Sequence, residues 1–291
     1  MRGVGEARSA ISVVNALPLG IGAAVGIDWP ARAIVRVGRA SEARDALIVE
    51  PRGSRTPLVR LSVRTARAKF GDGGSGRLRL TLRSSIPVAR GLKSSSAVSS
   101  AVALATARAY CREPTATQVA RLAAEVGRAA GVSATGAYDD ALAGLVSGGV
   151  VTDNRHDAEL RRFDVGEELG VALWVPAARH PPSLRLRARL RRYPALAQRA
   201  VDAVLDGDWV EAMAANTSLV ERAMGYRYDR LHESMRRAGA AASGTSGNGP
   251  AFAVVAPASR LPRILAALPR TGRRRSVRLT PPERSWAGSA T

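Results

Sequence analysis

The segment Pro87-Val88-Ala89-Arg90-Gly91-Leu92-Lys93-Ser94-Ser95-Ser96-Ala97 places a glycine, a lysine and three serines where an alternating run gives way to a helix-compatible one. Such a junction suits phosphate. Backbone N–H groups at a helix N-terminus point at an anion, and the helix dipole favours its charge. Gly91 allows close backbone approach, Lys93 adds a point charge, and a serine hydroxyl can ligate magnesium. Serine is also a favoured helix cap, so a Ser-rich cap without a ligand is the local alternative. The GxxxxGK[ST] pattern of the common P-loop is absent.

Two further segments have chemical potential. Thr135-Gly136-Ala137-Tyr138-Asp139-Asp140 sets adjacent carboxylates at a helix start. They can be first-turn residues that favour the dipole. Beside a phosphate loop, one could instead take the proton of an acceptor hydroxyl while the other helps to hold magnesium. Gly244-Thr245-Ser246-Gly247-Asn248-Gly249-Pro250 contains an Asn-Gly turn signal. Its three glycines, Gly244, Gly247 and Gly249, also give a backbone able to wrap a phosphate or a substrate.

The elements that must position these segments read as α+β in two halves. Strands are expected at Ala10–Leu17 and Ala31–Val37, joined by the glycine-rich stretch Pro18–Asp28. Arg77–Arg83 alternates with period two and ends at Pro87. Ser94–Tyr110 predicts a helix, and Pro114 precedes a second one opening with a Thr115–Gln118 capping box. On that helix Val119, Leu122 and Val126 share a face, with Arg121 and Glu125 on another. Gly148-Gly149 leads into the apolar Val150-Val151-Thr152. The polar stretch Asn154–Glu168 marks the boundary, giving domains 1–155 and 156–291. The second half predicts a strand at Val171–Val175 and helices at Leu184–Leu205 (broken near Pro194), Trp209–Met224 and Arg230–Ala242. A loop at Ser243–Pro250, a strand at Ala251–Val255, a helix at Leu261–Leu268 and a strand at Ser276–Leu279 follow.

Composition sets the limits. Aromatic residues are only 4%, so Ala, Val and Leu must fill the core through close helix packing. The formal charge is +20, yet only Lys69 and Lys93 among the 44 basic residues are lysines. The arginines are scattered, and aromatics do not alternate with them, which argues against a dedicated nucleic-acid surface. The charge still attracts anionic ligands. A lone Cys111 excludes an internal disulfide and reads as a small core residue. His156, His180 and His232 stand isolated in polar contexts and predict no catalytic role. No apolar run reaches the length of a membrane span, and no leader-like stretch opens the sequence, so a soluble cytoplasmic protein is expected.

Together the three segments resemble the GHMP kinase superfamily, with its amino-terminal glycine-containing motif, its Pro-x-x-x-Gly-Leu-x-Ser-Ser loop and its late glycine-rich loop. More narrowly, Gly91–Ala97, Thr135–Ala141 and Gly148-Gly149-Val150-Val151-Thr152-Asp153-Asn154 resemble the archaeal-type shikimate kinases. The resemblance implies an amino-terminal domain like domain 2 of ribosomal protein S5 and a ferredoxin-like carboxy-terminal domain. ATP with Mg2+, and shikimate as small-molecule acceptor (homoserine or a mevalonate-type alcohol being the alternative), would meet in the cleft between them, and no nucleic acid or membrane is expected as a partner. It further implies that Pro87, Val88, Ala89, Arg90, Gly91, Leu92, Lys93, Ser94, Ser95 and Ser96 cradle the phosphates, together with Gly244, Gly247 and Gly249. Ser95 and Glu125 would ligate magnesium, although an Arg121–Glu125 surface pair explains Glu125 equally well. Asp139 aligns with the catalytic aspartate, and Asp140 competes for that role. The amino-terminal lysine of several superfamily members is missing, so Lys93 or an arginine takes its place. An arginine clamp on the substrate carboxylate is expected as well.

Overall fold

The chain was studied as a computed structural model, which describes residues 1–38, 47–71, 76–177 and 183–280. His180 lies outside these residues.

β1 (Arg2–Val14) and β2 (Ile21–Val37) form a long antiparallel hairpin. β2 continues the sheet on its other edge with two partners. Its amino-terminal part pairs with β5 (Gly149–Asp153) and its carboxy-terminal part with β4 (Leu78–Ser84). β3 (Leu47–Glu50) runs parallel to β4, the two being linked through α1 (Pro57–Phe70), and β6 (Ala158–Phe163) pairs with β5. The sheet order is β3-β4-β2-β5-β6, with β1 on β2. This sheet therefore extends past the boundary expected at residue 155.

α2 (Ser94–Ala109) lies across β1 and is buried on almost every side. Its serine- and alanine-rich sequence makes that burial possible, because small side chains let backbone pack on backbone. Two glycines of β1 complete the fit. A Cβ on Gly3 would lie 2.1 Å from the Ala105 carbonyl oxygen, and one on Gly5 would lie 2.2 Å from that of Ala101. α3 (Ala116–Ala129) has the Thr115–Gln118 capping box and buries Val119, Leu122 and Val126. α4 (Tyr138–Ala143) is short and wholly buried.

The second sheet is antiparallel, in the order β10 (Arg273–Arg278), β7 (Leu169–Val175), β9 (Phe252–Pro257), β8 (Ala242–Thr245). Four helices precede β8: α5 (Ser183–Leu190), α6 (Pro194–Asp206), α7 (Trp209–Met224) and α8 (Asp229–Arg237). α9 (Leu261–Ala267) connects β9 to β10. The path is βαββαβ with the first and third strands adjacent at the centre, which is the ferredoxin-like arrangement. The halves are stitched together. Ile27 bridges to Leu279, the Thr280 N–H donates to the Gly26 carbonyl at 2.9 Å, and the Arg275 guanidinium lies 4.4 Å from the centre of the Trp29 ring.

Several local expectations are corrected. The stretch Pro18–Asp28 is mostly strand, because pairing with β1 and β5 on either side overrides its glycines. The helix expected to reach Ala242 ends at Arg237, and Ser243–Thr245 belongs to β8. Cys111 is exposed just past the end of α2, at φ +56°, and not in the core.

Candidate active site

The phosphate-loop segment alternates in handedness. Ala89, Gly91 and Lys93 have φ of +56°, +85° and +56°. Successive N–H groups in such alternation form a concave anion-binding nest. Lys93 is the N-cap residue of α2 and makes no side-chain cap, so the serines do not act as the cap. The first N–H groups of α2 are left for a ligand. The loop's carbonyls are turned into the protein. Ala251 N–H donates to Arg90 O at 3.0 Å, Ser246 Oγ to Gly91 O at 2.8 Å, and Ser9 Oγ to Leu92 O at 2.8 Å. Gly91 is required at its position, because a Cβ there would lie 2.0 Å from the Ser246 carbonyl oxygen.

The carboxylates come from the first turn of α4. Its N-cap residue, Ala137, has φ +55° and no side-chain cap. Asn154 supplies the cap from the end of β5, its Oδ1 accepting from Tyr138 N–H at 2.6 Å and Asp139 N–H at 3.3 Å. Asn154 is held in turn by donating Nδ2 to Thr152 Oγ1 at 3.0 Å. Gly22 makes room for this cluster, since a Cβ there would lie 2.6 Å from Asp139 Oδ2. Asp140 forms an ion pair with Lys93, Nζ to Oδ1 at 2.8 Å, with side chains only 10% and 11% exposed. Asp139 has a buried carboxyl and is pushed up to about 7, first by burial and then by the Asp140 charge, with Lys93 opposing. Two adjacent carboxylates thus have different environments, one paired with a cation and one poised near neutrality.

These parts face one cleft of about 1310 Å³. At one end it is lined by Ser12, Asn15, Lys93, Asp139, Asp140 and Asn248; at the other by Pro51, Pro57, Leu58, Val59 and Ile86. The phosphate loop lies between. Pro87, Val88, Ala89, Gly91, Leu92, Lys93, Ser94 and Ser95 line the cleft, whereas Arg90 and Ser96 do not. Arg90 donates to the Ala177 carbonyl at 2.5 Å, and Ser96 is buried in α2. Of the late glycines only Gly247 lines the cleft. Gly244 gives way to Thr217 and Gly249 to Tyr226. Glu125 is exposed on α3 and is not among the lining residues, so the structure does not bring it to the magnesium position expected for it. Among the described residues the only lining arginines are Arg32 and Arg83, neighbours across β2 and β4. Arg32 is ten residues along β2 from Gly22, roughly 30 Å at strand rise, so neither lies beside Asp139.

The sequence assigns no role to Ser12 or Asn15, and reads Asn154 only as the end of a family-like motif and Ser246 and Asn248 only as parts of the late loop; in the structure these residues knit β1, β5 and the late loop to the Lys93, Asp139 and Asp140 segments. Their one available signal is a polar residue breaking an otherwise apolar run, as Asn15 does after Val13-Val14. Among the described residues no group of three or more His, Cys, Asp or Glu side chains gathers as a metal site, and no helix is long and apolar enough to cross a membrane.

Comparison with known proteins agrees with this geometry. Residues 58–148 match the GHMP kinases N terminal domain and residues 200–274 the GHMP kinases C terminal domain. A shikimate kinase of Halobacterium salinarum is 37% identical over 74% of this chain and 75% of its own length. One from Pyrococcus abyssi is 32% identical over 88% of this chain and 92% of its own. Among solved structures, Methanococcus jannaschii mevalonate kinase superposes with a TM-score of 0.75 at 14% identity, covering 97% of this chain and 99% of its own. A homoserine kinase from Cytophaga hutchinsonii gives 0.72 at 16% identity, covering 96% of each chain. With its concave backbone nest, its buried carboxylates and the cleft they share, the chain belongs to the GHMP kinase family, in the branch of the archaeal shikimate kinases.

Proposed function

We propose that the chain transfers the γ-phosphoryl group of ATP to the 3-hydroxyl of shikimate, a step of aromatic amino-acid synthesis. One observation supports the chemistry most strongly: the nest and uncapped start of α2 meet the Asp139–Asp140–Lys93 cluster in one cleft. The apolar end at Pro51–Val59 suits a nucleotide base, the nest its phosphates, and the opposite end the acceptor. The curated relatives support shikimate as that acceptor.

In this reading Asp139 is the general base. Among the described residues it has no ion-pair partner, and it titrates near neutrality, where a base can both be ionised and hold a proton. The acceptor hydroxyl passes its proton to the Asp139 carboxylate as its oxygen bonds to the γ-phosphorus. The bond from that phosphorus to the bridging oxygen breaks, and ADP leaves with the electron pair. Lys93, fixed by Asp140, supplies positive charge where negative charge develops in the transition state. It thus stands in for the amino-terminal lysine of other superfamily members. Ser95, half-buried in the first turn of α2 and lining the cleft, offers a hard oxygen that suits Mg2+. The metal would neutralise phosphate charge, and Glu125 has no part in holding it. ATP as phosphoryl donor fits a cytoplasmic location.

The test is ADP release by the pure protein with a panel of acceptors. Shikimate should stimulate it strongly and yield the 3-phosphate, with homoserine and mevalonate inert. Stimulation by one of the other alcohols, and none by shikimate, would overturn the substrate assignment while leaving the kinase chemistry.

A further inference from the structure

Three asparagines are linked in series toward the Asp139 end of the cleft, the first through a backbone N–H and the second through its amide. Asn216 is fully buried in α7, and its Oδ1 accepts from the Asn15 backbone N–H at 2.9 Å. Asn15 Oδ1 accepts from Leu17 N–H at 3.0 Å, which fixes the orientation of its amide. Its Nδ2 is therefore directed elsewhere, donating to the Gly247 carbonyl at 3.3 Å and to Asn248 Oδ1 at 2.8 Å. A donor on that side determines the Asn248 amide too, because the flipped rotamer would oppose two NH2 groups. The Asn248 oxygen faces Asn15 and its NH2 faces away. That NH2 makes no hydrogen bond to another described residue, and Asn248 is half-buried and lines the cleft.

The position is close to the chemistry. A Cβ on the neighbouring Gly247 would lie 3.1 Å from Lys93 Nζ, which itself contacts Asp140. The Tyr226 hydroxyl donates to the Asn248 carbonyl at 3.0 Å, so the residue is held from its backbone as well. A preset donor with no acceptor among the described residues, lining the same cleft as the two carboxylates, is placed to read the acceptor molecule. Its neutrality indicates what it reads. Two carboxylates lie nearby and the local cation is committed to Asp140, so an anionic group of the substrate is disfavoured at this spot. A hydroxyl is well served by a neutral amide.

We propose that Asn248 Nδ2 donates to a ring hydroxyl of the acceptor other than the one phosphorylated, with Asn15 and Asn216 as positioning residues that set the amide. The assignment rests on the reading above, which puts the acceptor at the Asp139 end. A site built to hydrogen-bond a hydroxyl discriminates against the analogue that lacks it, because the unpaired donor is left stranded.

The experiment compares the full-length protein with Asn248→Ala, using shikimate, 4-deoxyshikimate and 5-deoxyshikimate at saturating ATP. In the unmodified protein one deoxy analogue should lose about tenfold in kcat/KM. Asn248→Ala should lose about tenfold with shikimate, nothing further with that same analogue, and leave the KM for ATP unchanged. Asn15→Ala, which keeps Asn248 but frees its amide to rotate, should narrow the same discrimination mainly through KM. It provides a second readout should Asn248→Ala melt low. An equal loss of Asn248→Ala on all three substrates, or no loss on any, would overturn the assignment in an otherwise active enzyme. Failure of the broader reading would look different: the unmodified protein would give no shikimate-dependent ADP at all.

Discussion

Replacing Lys93 by methionine removes one partner of a buried ion pair and keeps most of the side-chain volume. At an effective dielectric near 20, unit charges 2.8 Å apart attract by about 6 kcal/mol. Desolvation offsets part of this, and breaking such a pair typically destabilises by about 3–5 kcal/mol. The lower figure applies here, because the side chains retain 10% and 11% exposure. For a chain of this size about 3 kcal/mol corresponds to a fall in melting temperature of about 6 °C. Turnover should drop by about 100-fold, as it does when a preorganised charge at the transition state is lost. The pH profile carries the sharper test. Lys93 lowers and Asp140 raises the titration of Asp139, and the Asp140 effect is the larger. Lys93→Met should therefore move the acid limb of kcat/KM to higher pH. The double variant Lys93→Met, Asp140→Asn should move it below that of the unmodified protein, and should recover most of the stability but not the turnover. Calorimetry and pH–rate profiles of the three proteins measure this. A limb that stays put or falls in the single variant, or a double variant as unstable as the single, would refute the reasoning.

Three other outcomes follow from the same geometry. In the unmodified protein kcat/KM should rise tenfold per pH unit below about 7 and level off above it, as Asp139 loses its proton. Because burial raises this carboxyl above its unfolded value, the folded state holds more protons between about pH 4 and 7. Stability should then fall as pH rises through that window, a slope that melting curves of Asp139→Asn should lack. Gly91→Ala puts a Cβ 2.0 Å from a backbone carbonyl at φ +85°, so the nest must open, and isothermal titration should show ADP binding weakened by tenfold or more. Glu125→Gln should leave the magnesium dependence of turnover within about twofold of normal, since Glu125 is exposed away from the cleft; a large rise in the magnesium requirement would place it at the metal after all.

How far the sequence could be read depends on how local each feature is. β4, α2 and α3 announce themselves by alternation, by an unbroken run of small helix formers and by a capping box, all within a few residues. The first part of β2 does not, because Gly22 and Gly26 read as a loop. Their purpose is tertiary: a Cβ on either would strike Asp139 or the Ala143 carbonyl of α4. β6 was missed because it is a charged, exposed edge strand without an apolar face. The phosphate loop was legible as a kind of site, but its alternating handedness was not. Positive φ at Ala89 and Lys93 is imposed by the hydrogen bonds from Ser9, Ser246 and Ala251, all distant in the chain. The pairing of Lys93 with Asp140, and not with Asp139, is likewise a product of packing. It is what separates the two adjacent acids into an anchored one and one free to take a proton. Of the asparagine series, Asn15 and Asn216 have no role legible in the sequence, lying just past β1 and within α7, and Asn248 reads only as the Asn-Gly turn of the late loop.

The most direct test of the central claim is single-turnover phosphoryl transfer from ATP to shikimate by Asp139→Asn. The amide keeps the shape and the bonds to Asn154 but cannot accept the hydroxyl proton. The rate should fall by about 10²- to 10⁴-fold with nucleotide affinity preserved, and the acid limb near pH 7 should be lost from whatever activity remains. A variant that transfers phosphate within a few-fold of the normal rate, with the limb still in place, would contradict the assignment of Asp139 as the base.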